Sequence, residues 1–137
     1  MPNHHRTHEH KKHSAIVSKL ASQAYDQMDR KRFEEAAHTY LELLSMLGKN
    51  SPKWKSYKYQ LCVCYKKLGD SDHTLRHCHE LVKQHPKDNY LAFNLLAYGL
   101  VRVEAGEAIL AEFGIEDPYE EALRVFEISR DQQRQKL

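Results

Sequence analysis

Three cysteines and ten histidines are the residues of this 137-residue chain best suited to chemistry. Cys62 and Cys64 stand two apart, and His73, His77, Cys78, His79 and His85 follow them, a set of donors of the kind that holds zinc. Their spacing argues against a shared ion. On a helix, residues two apart point about 200° from each other, so Cys62 and Cys64 face opposite sides. His73 and His77 are one turn apart and read as a surface pair. His4, His5, His8, His10 and His13 would hold a transition metal only adventitiously. Neither a metal site nor a cofactor is expected. Catalytic residues are not expected either, because the chain has no glycine-rich phosphate loop, nucleophile elbow or HExxH motif. Glu34, Glu35, Glu120 and Glu121 fall in first turns of helices, where carboxylates favour the helix dipole.

The other chemical signal is cationic. Net charge is +2 with histidine neutral, and Arg6, Lys11 and Lys12 against Glu9 place that excess in the N-terminal arm. Between Glu42 and Asp70 there is no acid, whereas Lys49, Lys53, Lys55, Lys58, Lys66 and Lys67 all fall there. Trp54, Tyr57, Tyr59 and Tyr65 are interleaved with these lysines, a composition that suits docking onto an acidic protein. The alternative is binding of RNA or another polyanion through residues 53–67 and the N-terminal arm. The balanced charge of the remainder is not that of a nucleic-acid coating protein.

Nearly everything else reads as helix. Residues 1–13 are polar and without hydrophobic periodicity, which predicts a disordered arm. Ile16, Leu20, Ala21, Ala24 and Met28 recur at spacings of three and four, as do Phe33, Ala36, Ala37, Tyr40, Leu43, Leu44 and Leu47. Ser51 and Pro52 open a third helix carrying Trp54, Leu61, Cys62 and Tyr65. A fourth runs over about 72–84 with Leu75, Cys78, Leu81 and Val82 inward, and ends before Pro86. The fifth, about 88–104, is apolar nearly all round and should be sandwiched. It carries Tyr90, Phe93, Leu95, Leu96, Leu100, Val101 and Val103. A shorter segment over 106–113 precedes Gly114, and Asp117 with Pro118 starts a last helix through Ala122, Leu123, Val125, Phe126 and Ile128. Residues 14–137 thus form one all-α domain of hairpins over about 14–47, 51–84 and 88–113, with a last helix over 117–134. No apolar run is long enough to span a membrane. The odd cysteine count and the lack of a secretory pattern predict a soluble chain with reduced thiols, cytoplasmic or nuclear.

An internal period organises these helices. Ser51-Pro52-Lys53 recurs as His85-Pro86-Lys87, so that position 51 maps onto position 85, and helix, short turn, helix lies between. Leu61, Cys62 and Tyr65, then Gly69-Asp70, then Cys78, Leu81 and Pro86 resemble the pattern of one tetratricopeptide repeat, and the recurrence has that repeat's length. The first hairpin resembles the same unit through Ala24, then Arg32-Phe33-Glu34-Glu35-Ala36, then Tyr40 and Leu44. It has Lys31 where the unit places a turn glycine and a short extra stretch before Ser51, and Thr74 replaces the usual alanine of the middle unit. Tyr119-Glu120-Glu121-Ala122-Leu123-Arg124-Val125-Phe126 looks like another second helix, arriving well after the place the period assigns to it. The third unit is either degenerate or interrupted by an insertion, and the last helix is expected to cap the stack.

The resemblance implies an all-α right-handed stack of antiparallel hairpins whose first helices line a concave groove. It implies a non-catalytic adaptor or assembly subunit that binds an extended or helical partner peptide. Tyr25 and Met28, then Tyr59, Val63, Lys66 and Lys67, then Tyr90 and Phe93 fall at groove positions. The lysines favour an acidic or C-terminal carboxylate partner. Phe93, Ala97 and Leu100 either line the groove or lie buried under the last helix. Ser18, Ser22 and Gln60 occupy places where family members that clamp an acidic chaperone tail carry lysine and asparagine, so that clamp is not expected. Three units are near the minimum for a self-supporting stack, which suggests a subunit whose exposed end packs on a larger assembly.

Overall fold

A computed structural model describes residues 4–102 and 107–136. The helices are α1 (His4–Asp29), α2 (Phe33–Ser45), α3 (Pro52–Lys67), α4 (Ser71–Gln84), α5 (Tyr90–Val101), α6 (Glu107–Glu112) and α7 (Pro118–Gln135). Among the described residues there is no strand. Consecutive helices from α1 to α5 pack on one another, and α5 packs most extensively on α7.

Local chemistry sets the helix ends. The Ser51 hydroxyl accepts from the Lys53 and Trp54 amides, with Pro52 at the first helical position. Asp70 caps α4 through the His73 amide, and Asp117 caps α7 through those of Tyr119 and Glu120. Between α3 and α4, Gly69 takes φ 73° while the Gly69 and Asp70 amides bond back to Lys66 and Tyr65. The turn between α1 and α2 has the same pattern, with the amides of Lys31 and Arg32 bonded to Met28 and Gln27. Lys31 itself adopts φ 60°, at a penalty of roughly 1 kcal/mol that glycine would avoid. The missing turn glycine therefore leaves the turn geometry intact. Thr74 fits the alanine position because its hydroxyl donates to the Asp70 carbonyl at 2.7 Å, which satisfies a buried polar group.

The stack has two apolar centres. Val17, Ala24, Ala36, Ala37, Tyr40 and Leu43 gather with Leu61 and Cys64 of α3. Trp54 and Cys62 of α3 gather with Leu75, Cys78 and Leu81 of α4, the buried face of α5, and Ala122 and Val125 of α7. The two repeat junctions touch as equivalent positions in a stack should: Gln84 Nε2 donates to Asn50 Oδ1 at 2.6 Å.

Four expectations need correction. α1 begins at His4, so helical backbone covers most of the segment expected as a disordered arm; neither glycine nor proline interrupts residues 4–29. Within α1, Val17 is buried and Ile16 exposed, so the apolar face is turned by one residue at its start. The third hairpin is α5 with α7, not the segment 88–113. At six residues α6 is about 9 Å long against about 18 Å for α5, too short to cover it. α7 runs antiparallel to α5: Ser129 Oγ donates to the Tyr90 carbonyl at 2.8 Å, and Gln132 receives the Asn89 amide at 2.7 Å. The segment before α7 is thus an insertion, and α6 lies over α4 through Arg76–Glu112 and a stack of His79 on Phe113. Finally, Val101 on the helix expected to be sandwiched, and Leu123 and Phe126 in the apolar pattern of the last helix, are exposed. Val103 lies outside the described residues.

If α7 is the partner of α5, a chain ended after Ile115 should lose more helical circular-dichroism signal than α7 alone accounts for, because α5 would be left bare along one side. A loss equal to α7 alone would contradict the pairing.

Candidate partner-binding groove

α1, α3 and α5 line one side of the stack, and two adjoining clefts lie along it. The first, of about 430 Å³, is bounded by Tyr25, Met28 and Asp29 of α1, Tyr40 of α2, and Ser56, Tyr57 and Gln60 of α3. The second, of about 520 Å³, lies between Lys55, Tyr59 and Gln60 of α3 and Tyr90 and Leu91 of α5, with Lys136 at its edge. Ser56 and Gln60 belong to both, so the surface is continuous from α1 to α5. A smaller hollow, about 250 Å³, holds Lys66 with Asp70, Tyr98 and Arg102.

The residues expected in the groove separate into four groups. Tyr25, 73% exposed, Tyr59 and Tyr90 line the clefts with side-chain surface to offer. Met28 lies at the edge of the first cleft with its sulfur 3.2 Å from that of Cys64, and Val63 is half-buried on the second apolar centre. Phe93 is corrected to a core residue. At 7% exposure it belongs to the second apolar centre. Ala97 and Leu100 are buried likewise, because α7 lies against α5. Lys66 places its ammonium 4.3 Å from the Tyr98 ring centre, which Arg102 also faces, and Lys67 is exposed. The lysines therefore sit at one end of the surface and the three tyrosines along it.

Lys58 behaves differently from its neighbours in the basic run. It is 4% exposed, 5.5 Å from the Trp54 ring centre, and its ammonium donates to Glu80 at 3.1 Å and to His77 Nδ1 at 2.8 Å. An ammonium has only donors, so His77 must accept at Nδ1 and carry its proton on Nε2. Burial first, and the Lys58 charge next, hold the His77 imidazole down at about 4 from the ordinary 6.5. Burial pulls the Glu80 carboxyl up, but its bond to Lys58 and the charges of Lys58 and Lys49 overcome that and leave it lowered. Tyr65 stacks on both His73 and His77, at 4.8 and 5.2 Å between ring centres. The sequence signalled Lys58 only as one lysine among six; its burial comes from the fourth helix crossing over it.

The sulfur atoms are spent on packing. Cys62 and Cys64 are fully buried in different apolar centres, as their angular separation on a helix requires. Burial pushes the Cys64 thiol up to about 12, and burial together with Cys62 pushes that of Cys78 well above its ordinary value. Such thiols stay protonated and unreactive at neutral pH.

No family model matches the chain, and no curated protein does. Among solved structures, the crystal structure of the P58(IPK) TPR domain is similar, with a TM-score of 0.61 and 18% identity. The likeness covers 98% of this chain and 38% of that one. This chain has the tetratricopeptide-like fold. The match extends over the α5–α7 unit as well as the two regular hairpins, so the resemblance carried by residues of those two hairpins holds for the fold of nearly the whole chain.

Folded and unfolded states differ in their protons at His77. The unfolded chain binds a proton near pH 6.5 and the folded one only near 4, so stability should decline as pH falls through that interval and level off below it. Glu80, lowered when folded, adds to the decline in acid. Urea unfolding between pH 7 and pH 4 checks this: His77→Gln should flatten the slope, and an equal slope in wild type and variant would refute the role given to His77.

Proposed function

We propose that the chain is a non-catalytic interaction module that holds a partner polypeptide along the surface lined by α1, α3 and α5. The observation that carries this reading is the continuity of the two clefts through Ser56 and Gln60, with Tyr25, Tyr59 and Tyr90 spaced along them. Tyr25 is exposed and Tyr59 and Tyr90 half-buried, and tyrosines with free ring surface give large contact area with little loss of side-chain freedom, which suits a peptide-binding surface. Lys55, Lys66 and Lys67 border it and favour a partner with acidic side chains, by steering its approach more than by tight binding. The tetratricopeptide-like fold supports a protein partner, since helical-repeat stacks present extended binding surfaces of this kind. Among the described residues no helix is long and apolar enough to cross a membrane.

Binding of RNA along residues 53–67 draws less support. Trp54 is buried, Tyr65 is stacked on the fourth-helix histidines, and Lys58 is tied to Glu80, so three residues suited to bases and phosphates are already occupied.

Affinity capture with the full chain, quantified by mass spectrometry, tests the proposal. Tyr25→Ala with Tyr59→Ala should reduce capture of the specific partner by roughly tenfold or more, as central aromatic contacts do. Lys66→Glu with Lys67→Glu should weaken it further at low salt than at high salt. Unchanged capture by both variants, with helicity intact, would remove this surface from the account.

A further inference from the structure

The three hairpins present equivalent outer faces, and only two of these are covered. Phe33-Glu34-Glu35-Ala36-Ala37 on α2 aligns with Tyr119-Glu120-Glu121-Ala122-Leu123 on α7, which matches Ala37 to Leu123 and Tyr40 to Phe126. With Thr74 at the alanine position that Ala36 and Ala122 occupy, α4 places Leu75 and Cys78 at those two positions. In α2 both residues are buried, and Tyr40 lies 6.1 Å from Tyr57 of the next hairpin. In α4 both are buried, and Leu75 meets Gly99 of α5 so closely that a Cβ there would stand 3.1 Å from it. On α7, Leu123 is 60% and Phe126 50% exposed. What α3 does for α2 and α5 does for α4, nothing among the described residues does for α7.

The bare face has the form of a seat for a helix. Tyr119, Leu123 and Phe126 follow one another at i, i+4 and i+7, and Ala97, Tyr98 and Val101 of α5 form the opposite wall. Together they line a groove of about 440 Å³ that is almost wholly apolar. Its α7 side adjoins a cleft lined by Glu116, Asp117, Glu120 and Glu127, in which the one cation, Arg124, is already paired with Glu121. We propose that this groove receives an amphipathic helix of a partner protein, with apolar residues repeating at three and four and basic residues on the flank beside α7. The helix would continue the stack as α3 and α5 do within it.

Charge decides against a second copy face to face, and a shortage of apolar side chains against one stacked head to tail. Two α7 faces brought together would oppose their acidic rims. Head-to-tail stacking would offer the outer side of α1, where Lys12, Lys19, Gln23, Asp26 and Arg30 are exposed with Ile16 as the main apolar contact. This surface meets the concave one only at Tyr98, and Tyr119, Leu123 and Phe126 line no part of the two clefts, so either can hold without the other.

A labelled peptide copying residues 51–68, with Cys62 and Cys64 replaced by alanine, is a suitable probe. It carries the basic helix that covers the equivalent face of α2, including Lys53, Lys55, Lys58, Lys66 and Lys67. Fluorescence anisotropy with the full chain should show saturable binding, weakened roughly tenfold or more by Phe126→Ser or Leu123→Ser. Glu120→Lys with Glu127→Lys should also weaken it, and Tyr25→Ala should leave it unchanged. The substituted positions are exposed, and thermal unfolding of each variant verifies that the fold is kept. Absence of saturable binding, or binding indifferent to Phe126→Ser, would overturn the proposal. So would a dimer in sedimentation that dissociates on Leu123→Ser, since it would assign the face to a second copy.

Discussion

α3 is packed on two opposite sides at once. Leu61 and Cys64 belong to the apolar centre shared with α1 and α2, and Trp54 and Cys62 to the one shared with α4, α5 and α7. A helix in that position cannot keep a polar face opposite an apolar one, so its sequence alternates small, apolar and cationic residues with little helical asymmetry. Close approach from both sides requires small residues at the points of contact, and Cys62 and Cys64 fill that need with no exposed surface. The chemistry suggested by two nearby cysteines is thereby excluded by packing: the pair is divided between two interiors.

The same crossing explains Lys58. The α3–α4 contact traps an ammonium that must be satisfied, and His77 and Glu80 on α4 satisfy it. Neutral His77 is a consequence of that arrangement, because a second cation 2.8 Å from the ammonium would be strongly disfavoured. With Lys58 withdrawn, the cations left to a partner are those at the ends of α3, while the middle of the surface is left to Tyr25, Tyr59 and uncharged neighbours. On the proposed reading, a partner is selected by shape and aromatic contact along the groove and by charge at its margins.

Much of the fold was legible because repeats write themselves as spacing. The recurrence of Ser51-Pro52-Lys53 as His85-Pro86-Lys87 located the hairpins, and Ser51 and Asp117 marked helix starts that the structure keeps. The pairing of α5 was not legible, since an apolar helix carries no mark of which neighbour covers it, and the insertion holding α6 put its true partner well out of register. Tyr25, Tyr59 and Tyr90 could be placed from the repeat pattern alone. Phe93 could not, because its burial depends on how the helices around α5 close over it. Periodicity also grouped Leu123 and Phe126 with Val125; only Val125 faces α5, and the other two face the place of a next helix that the described residues do not supply. Lys31 shows the reverse case, a residue that contradicts the turn pattern and yet takes the turn's backbone.

Hydrogen–deuterium exchange of the full chain with and without its captured partner tests the concave-surface account most directly. Protection concentrated in residues 21–29, 56–67 and 90–98, on the first helix of each hairpin, is the predicted result. Protection confined to α2, α4 and the loops, with those three segments unchanged, would contradict it.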